Sequence, residues 1–189
     1  MARQHDLIEE LRLYHPADDA ESAHYLGVID LLTGGSKVFQ RDHFEPGHVT
    51  ASCFIVDPSG ERLLLHRHRR LGKWLQMGGH CVEDEAPAAA ALREGAEESG
   101  LKDLQFVVDG IFDLDVHAIP AAKGEPDHNH FDLRYLARTA TPDAIIMQED
   151  ESEELAWVTF EEAIVRMSED GSTRAIRKIE RLLKKRSAT

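Results

Sequence analysis

At 189 residues the chain is long enough for one domain with a sizeable core and a small appendage, and its composition is that of an ordinary globular protein. A formal net charge of −13 argues against nucleic acid and against an anionic membrane surface as partners, although a bound divalent cation would reverse the field locally for a phosphorylated small molecule. Cys53 and Cys81 give no disulfide framework, the opening ten residues lack an apolar signal core, and no segment reaches membrane-span length, so a cytoplasmic protein is the expectation.

In chain order, Leu7, Ile8, Leu11 and Tyr14 at helical spacing predict a helix over 3–14, closed by His15-Pro16. Asp18 followed by Glu21 reads as a capping box opening a second helix over 19–33, which Gly34-Gly35 stops. These two helices fit a lid, a brace or a homodimer contact equally well. From His48 the texture changes. Residues 49–57 and 62–68 are apolar runs separated by a DPSGE turn, hence a hairpin buried on both faces. Cys53 falls within the first run and reads as core. The segment 69–80 reads as a loop in which Trp74 is a candidate for stacking on a nucleobase and equally for packing.

The stretch from Gly79 to Leu101, GHCVEDEAPAAAALREGAEESGL, is the most informative. Its second half predicts a helix over 86–99, with Pro87 confined to a first turn and Gly100 suited to a left-handed C-terminal cap. Glu94, Glu97 and Glu98 stand at i, i+3 and i+4, so three carboxylates share one face. Like charges at that spacing repel, and a hard divalent cation with oxygen ligands reverses the sign. Arg93 is placed to pair with Glu97, and Gly78-Gly79 lets the backbone come close enough to offer the Gly78 carbonyl as a further ligand.

Beyond Gly100, residues 101–120 read as a strand pair or one long bent strand, 121–129 as a polar turn, and 130–139 as a strand. Phe131, Leu133 and Tyr135 alternate with His130, Asp132 and Arg134, as Leu114 and Val116 do with Asp113, Asp115 and His117. If these strands pair, their polar faces line a pocket or a plain solvated surface. In a pocket, Arg134 would grip a phosphate, and His117, His128 and His130 would donate to phosphate or sugar oxygens. A short strand at Ile145–Met147, an acidic loop, a strand over 155–158 and a helix over 160–167 follow. The chain closes in an amphipathic helix with Ser172 as its N-cap and Ile176, Ile179, Leu182 and Leu183 as its apolar stripe.

Gly79, Glu85, Arg93-Glu94, Glu97-Glu98, Gly100 and Leu101 match the Nudix hydrolase signature, which the chain therefore resembles. One position departs, since Gly95 stands where the family has a bulky aliphatic residue. That change threatens the packing beneath the helix more than the chemistry. Covering roughly 48–165, the resemblance implies an α/β class, with the Nudix fold of a mixed β-sheet in an α/β/α sandwich and extra N-terminal and C-terminal helices. The domain organisation expected is a helical extension over 1–40, a Nudix hydrolase domain over 41–168 and a C-terminal helix over 169–189 packed on it.

The resemblance implies further that Glu94, Glu97 and Glu98 hold Mg²⁺ or Mn²⁺ with help from Gly78. Arg93 then orients the carboxylates, Glu85 supports the helix or a water, and Gly79 and Gly100 are structural. A later-loop glutamate, Glu151 before Glu153, serves as general base. The implied reaction is hydrolysis of the diphosphate bond in a nucleoside diphosphate linked to another moiety. Two alternatives accompany it. One is an isopentenyl diphosphate isomerase-like enzyme, which uses a cysteine, a glutamate and histidine-rich metal ligation, and to which Cys81 and the histidines point. The other is a non-catalytic nucleotide-binding or regulatory module, which would show loss of a signature Glu or Arg.

Overall fold

Residues whose apolar runs are long enough for strands, and whose breaks carry Gly, Pro or Asp, form an α/β chain of eight strands and five helices among the residues described. The structure, a computed structural model, describes residues 2–35, 37–122 and 124–187. Positions 1 and 36 of the expected N-terminal extension, position 123 of the polar turn and positions 188–189 of the last helix lie outside them. The chain falls into two units, one of Met1–Ser52, Gly78–Ala91 and Asp109–Tyr135, the other of Cys53–Met77, Leu92–Val108 and Leu136–Thr189.

The first unit carries α1 (Ala2–Leu11), α2 (Asp19–Gly34), most of β4 (Met77–His80), β6 (Asp113–Ile119) and the first parts of β1 (Gly47–Val56) and β7 (His128–Arg138). Asp18 caps α2 by accepting the Glu21 N–H at 2.8 Å, as its sequence suggests. The reciprocal half of the box is missing. The Glu21 carboxylate is buried instead and accepts from the Ala17 N–H, the Tyr14 hydroxyl and the Leu114 N–H on β6. Strand β6 pairs antiparallel with β7 in the register Asp113↔Arg134, Asp115↔Asp132, His117↔His130. Its other edge is covered by α2, where His24 Nδ1 accepts the Val116 N–H at 3.0 Å and Glu21 the Leu114 N–H, so side chains of a helix take ladder donors that an open edge would expose. Strand β4 occupies what the sequence suggested was loop. It pairs with β1 so closely that a Cβ on Gly78 would stand 2.5 Å from the Ser52 Cβ, a separation only glycine permits.

The second unit holds the rest of β1 and β7, with β2 (Arg62–His68), β3 (Lys73–Leu75), the body of α3 (Pro87–Ser99), β5 (Gln105–Phe106), β8 (Ser152–Thr159), α4 (Phe160–Met167) and α5 (Asp170–Ser187). Strand β2 pairs antiparallel with β1, β3 and β8. Strands β1 and β7 run parallel, Val56 accepting from the Thr139 N–H at 3.3 Å as Pro46 accepts from Asn129 at 3.2 Å, which makes the sheet mixed. Leu63, Leu64 and Leu65 are all fully buried, as a run of three apolar residues in a covered strand requires. Helix α4 begins in a complete capping box between Thr159 and Glu162 and packs on β2, β3, β8 and α5.

Four local expectations are corrected. The first helix ends at Leu11, three residues early. Ile145–Met147 form no strand, because Pro142 starts a 3-10 turn and the Ile146 N–H bonds the Ser99 carbonyl at 2.7 Å. Helix α5 starts at Asp170, so Ser172 is a buried first-turn residue, and the Glu169 carbonyl accepts the Thr173 N–H at 2.9 Å. Gly95 loosens nothing: a Cβ there would meet Leu104 Cδ1 at 3.1 Å with Cys53 and Ile55 behind it, so glycine lets the helix lie closer to the strand. Restoring the aliphatic residue in Gly95→Leu is therefore expected to destabilise the chain by about 1–3 kcal/mol through overpacking, read from urea unfolding midpoints, despite leucine's better helix propensity.

Candidate active site

The α3 carboxylates lie as their spacing dictates. Arg93 Nη1 donates to Glu94 at 2.8 Å and to Glu97 at 3.0 Å, so one guanidinium spans two of the three carboxylates and restricts both rotamers. Glu98 is 4% exposed and Glu97 stands largely in solvent. Burial pushes the Glu94 carboxyl above the ordinary glutamate range. The Arg93 contacts pull it down, and the charges of Glu97 and Glu151 raise it again. The donor set is all oxygen, which suits a hard divalent cation and suits zinc poorly.

The acidic loop before β8 is tied down by a residue that sequence reasoning passed over. Arg69 donates from its backbone N–H to the Glu151 carbonyl at 2.8 Å, from Nε to the Glu149 carbonyl at 2.7 Å and from Nη2 to the Ser152 carbonyl at 3.2 Å. Glu151 is exposed and its charge is felt at Glu94, whereas Glu153 is ion-paired with Arg67 at 3.6 Å. Trp74 on β3 already has a partner, the Arg166 guanidinium lying 4.4 Å from its ring centroid, so one of the two faces expected to take a nucleobase is covered.

Glu85, Gly79 and Cys81 belong to the first unit. A Glu85 carboxylate oxygen accepts the Val82 N–H at 3.1 Å and so closes the turn before α3. Gly79 is on β4, and Cys81 is nearly buried beside it. Gly100 has φ +77 and donates its N–H to the Ala96 carbonyl at 2.9 Å, the cap its position implied.

The polar faces of β6 and β7 do come together, and they divide into two parts. At the Arg134 end there is no phosphate grip. Arg134 is 3% exposed, and its guanidinium reaches Asp115 at 3.0 Å, Asp132 at 3.2 Å and Asp113 at 3.4 Å. Asp132 in turn accepts from the hydroxyls of Ser52 at 2.7 Å and Thr50 at 3.2 Å. The expectation of a solvated or substrate-facing surface fails at Arg134 because β7 is covered on both sides from Phe131 to Ala137, so the one cation within that stretch faces buried carboxylates. Burial raises the Asp115 carboxyl, but the His117 hydrogen bond and the Arg134 charge outweigh it and hold the group well below the carboxylate range.

At the other end the histidines cluster. His117 pairs with Asp115 at 3.0 Å, and its ring lies 5.7 Å from that of His130. The His130 ring is 4.9 Å from His48, 5.3 Å from His80 and 5.3 Å from His128. Burial, and after it the neighbouring histidines, push the His130 ring down to about 2 and His80 to about 4, so both rings are neutral at pH 7. Sequence reading found His128 and His130 but not His48 and His80. Eleven histidines in the chain were a signal, yet their convergence needs the β1–β7 and β1–β4 pairings, which no local pattern encodes.

With the geometry in place, comparison with known proteins assigns the class. The sequence model of the NUDIX domain family matches residues 46–181, and the chain belongs to that family. It is an enzyme of the Nudix pyrophosphohydrolase class, with the α/β fold its signature implied. Among solved structures, a NUDIX-family hydrolase from Clostridium perfringens is 26% identical with a TM-score of 0.56, over 71% of this chain and 97% of its own. An Ap4A hydrolase from C. elegans is 23% identical with a TM-score of 0.60, over 72% and 97%. A MutT protein from Methanosarcina mazei is 18% identical with a TM-score of 0.55, over 70% and 92%. Among the described residues no helix is long and apolar enough to cross a membrane.

Two outcomes follow from the Arg134 network. Arg134→Ala leaves three carboxylates without their shared cation and is expected to cost about 3–5 kcal/mol of stability, measured by denaturant unfolding. The depressed Asp115 group, faced by Arg134, His117, His24, Asp113 and Asp132, contributes stability that is complete above the unfolded carboxyl pKa of about 4. That contribution is lost as pH falls through the lower folded value. The acid limb of a stability–pH curve is therefore expected to be shallower in Asp115→Asn than in the parent.

Proposed function

We propose that the chain hydrolyses the diphosphate bond of a nucleoside diphosphate linked to another moiety, with Mg²⁺ or Mn²⁺ held by Glu94, Glu97 and Glu98. The observation that carries this is the Arg93 bridge across Glu94 and Glu97 beside the nearly buried Glu98. The bridge fixes carboxylates side by side at a separation their own charge disfavours, and the Glu94 carboxyl is raised first by its burial and then by the charges of Glu97 and Glu151, which a cation there would offset. A hard divalent cation bound there neutralises phosphate oxygens, stabilises the leaving group and acidifies a water. Arg93 keeps the carboxylates aimed, and Glu151 accepts the proton of the attacking water at its carboxylate. Glu151 is preferred to Glu153 because Arg67 engages the latter, while Arg69 holds the backbone of the former.

The signature is intact at every carboxylate and at Arg93, which favours a hydrolase over an isomerase and over a module that binds without turnover. The test uses purified chain with Mg²⁺ and a panel of ADP-ribose, a dinucleoside polyphosphate and a nucleoside triphosphate. Hydrolysis that a chelator abolishes is expected with at least one of them; isomerase activity on isopentenyl diphosphate, or no turnover of any compound, overturns the reading. Glu98→Gln and Glu94→Gln are expected to keep the parent's circular dichroism and lose at least about 100-fold in turnover, since each removes a charged oxygen donor. Turnover is expected to rise toward alkaline pH in the parent, and Glu151→Gln to lower it and flatten the profile. If Glu153→Gln does so instead, the base moves by two residues.

A further inference from the structure

We propose that His48, His128 and His130 form a binding site for a divalent transition-metal ion, Zn²⁺ foremost, built from different residues than the carboxylate cluster of α3. One ligand atom from each of the three lies within 4.8 Å of the other two. His48 comes from β1 and the other two from β7, strands paired to each other, so the three imidazoles rest on a rigid ladder and not on loops.

Hydrogen bonds fix which nitrogen His48 and His128 present. His48 Nδ1 lies 3.2 Å from the His43 carbonyl, and His128 Nδ1 lies 2.8 Å from the Pro126 carbonyl. A carbonyl only accepts, so both Nδ1 atoms carry the proton, and both Nε2 atoms carry a lone pair. This is the arrangement in which metal-bound histidines are held, the second nitrogen donating to a backbone carbonyl. His48 is 1% exposed, and its Nε2 is buried with no hydrogen-bond partner. A buried acceptor without a donor is rare in folded proteins and calls for an occupant.

The chemistry of the donors selects the ion. Neutral imidazole suits Zn²⁺, Cu²⁺ and Ni²⁺, whereas Mg²⁺ and Ca²⁺ take oxygen. Tetrahedral coordination at about 2.0–2.1 Å brings nitrogens to roughly 3.3 Å, which ring rotations of about an ångström reach from the observed separation. Three imidazoles leave a fourth position open. The His80 ring, 5.0 Å from His48 and 5.3 Å from His130, stands beside it as a further donor.

The test is titration of metal-stripped full chain with Zn²⁺ in a large excess of Mg²⁺, followed by calorimetry, with Co²⁺ as a visible reporter of coordination. One Zn²⁺ per chain is expected, together with the intense Co²⁺ bands of a four- or five-coordinate nitrogen site. His48→Gln and His130→Gln are expected to weaken binding at least tenfold, while Glu98→Gln binds Zn²⁺ as the parent does. Absence of Zn²⁺ uptake under Mg²⁺, or equal affinity in both histidine variants, overturns the proposal. Should the variants fail to fold, the parent's Co²⁺ spectrum decides, since only weak six-coordinate bands would also overturn it. Binding that survives in the histidine variants but fails in Glu98→Gln places the ion on α3 and refutes the assignment.

Discussion

Electrostatic repulsion among carboxylates is the constraint on which this structure turns. The chain meets it twice with the same device, one arginine shared among several acids. On α3 a guanidinium spans Glu94 and Glu97, leaving a local surplus of negative charge. On β7 the Arg134 guanidinium serves Asp113, Asp115 and Asp132 under full cover, with Ser52 and Thr50 supplying further donors to Asp132. The difference is one of access to solvent. A half-covered surplus can be discharged by a ligand that comes and goes, whereas a buried one has to be balanced by the protein itself.

That distinction explains which parts of the molecule a reader of the sequence can recover. Glu94, Glu97 and Glu98 were legible because a helix places i, i+3 and i+4 on one face whatever surrounds it. The Gly100 cap and the Asp18 cap were legible for the same reason, being satisfied within a turn of chain. The alternation on β6 and β7 was also readable, and the two strands pair with their polar positions opposite one another. What the polar face looks onto was not readable. Burial of Arg134 depends on what covers a strand, and a period of two is the same on a solvated sheet and a covered one.

Other misreadings have the same origin in contacts between distant residues. Segment 69–80 reads as loop because Gly72, Gly78 and Gly79 break its pattern, yet β3 and β4 form there by pairing with β2 and β1. Gly95 looks like a defect until Leu104, Cys53 and Ile55 are seen against it. At Gly78 and Gly95 glycine answers to a neighbour's proximity, whereas Gly72 serves a turn with φ +64, and single-sequence propensity does not tell the two apart.

The hold of α1 and α2 on the first unit has a further consequence for what can be removed from the chain. Arg3 donates to the carbonyls of Val82 and Glu85 at 3.1 and 2.7 Å, inside the signature loop. Glu10 accepts the Ile111 N–H at 2.8 Å, and Glu21 and His24 take donors of β6. With the Tyr14 hydroxyl on the Phe112 carbonyl, excising residues 1–40 would strip hydrogen-bond partners from at least six backbone groups that lie between residues 82 and 116. Within the first unit these helices therefore act as the hydrogen-bonding edge of β6 and of the loop before α3.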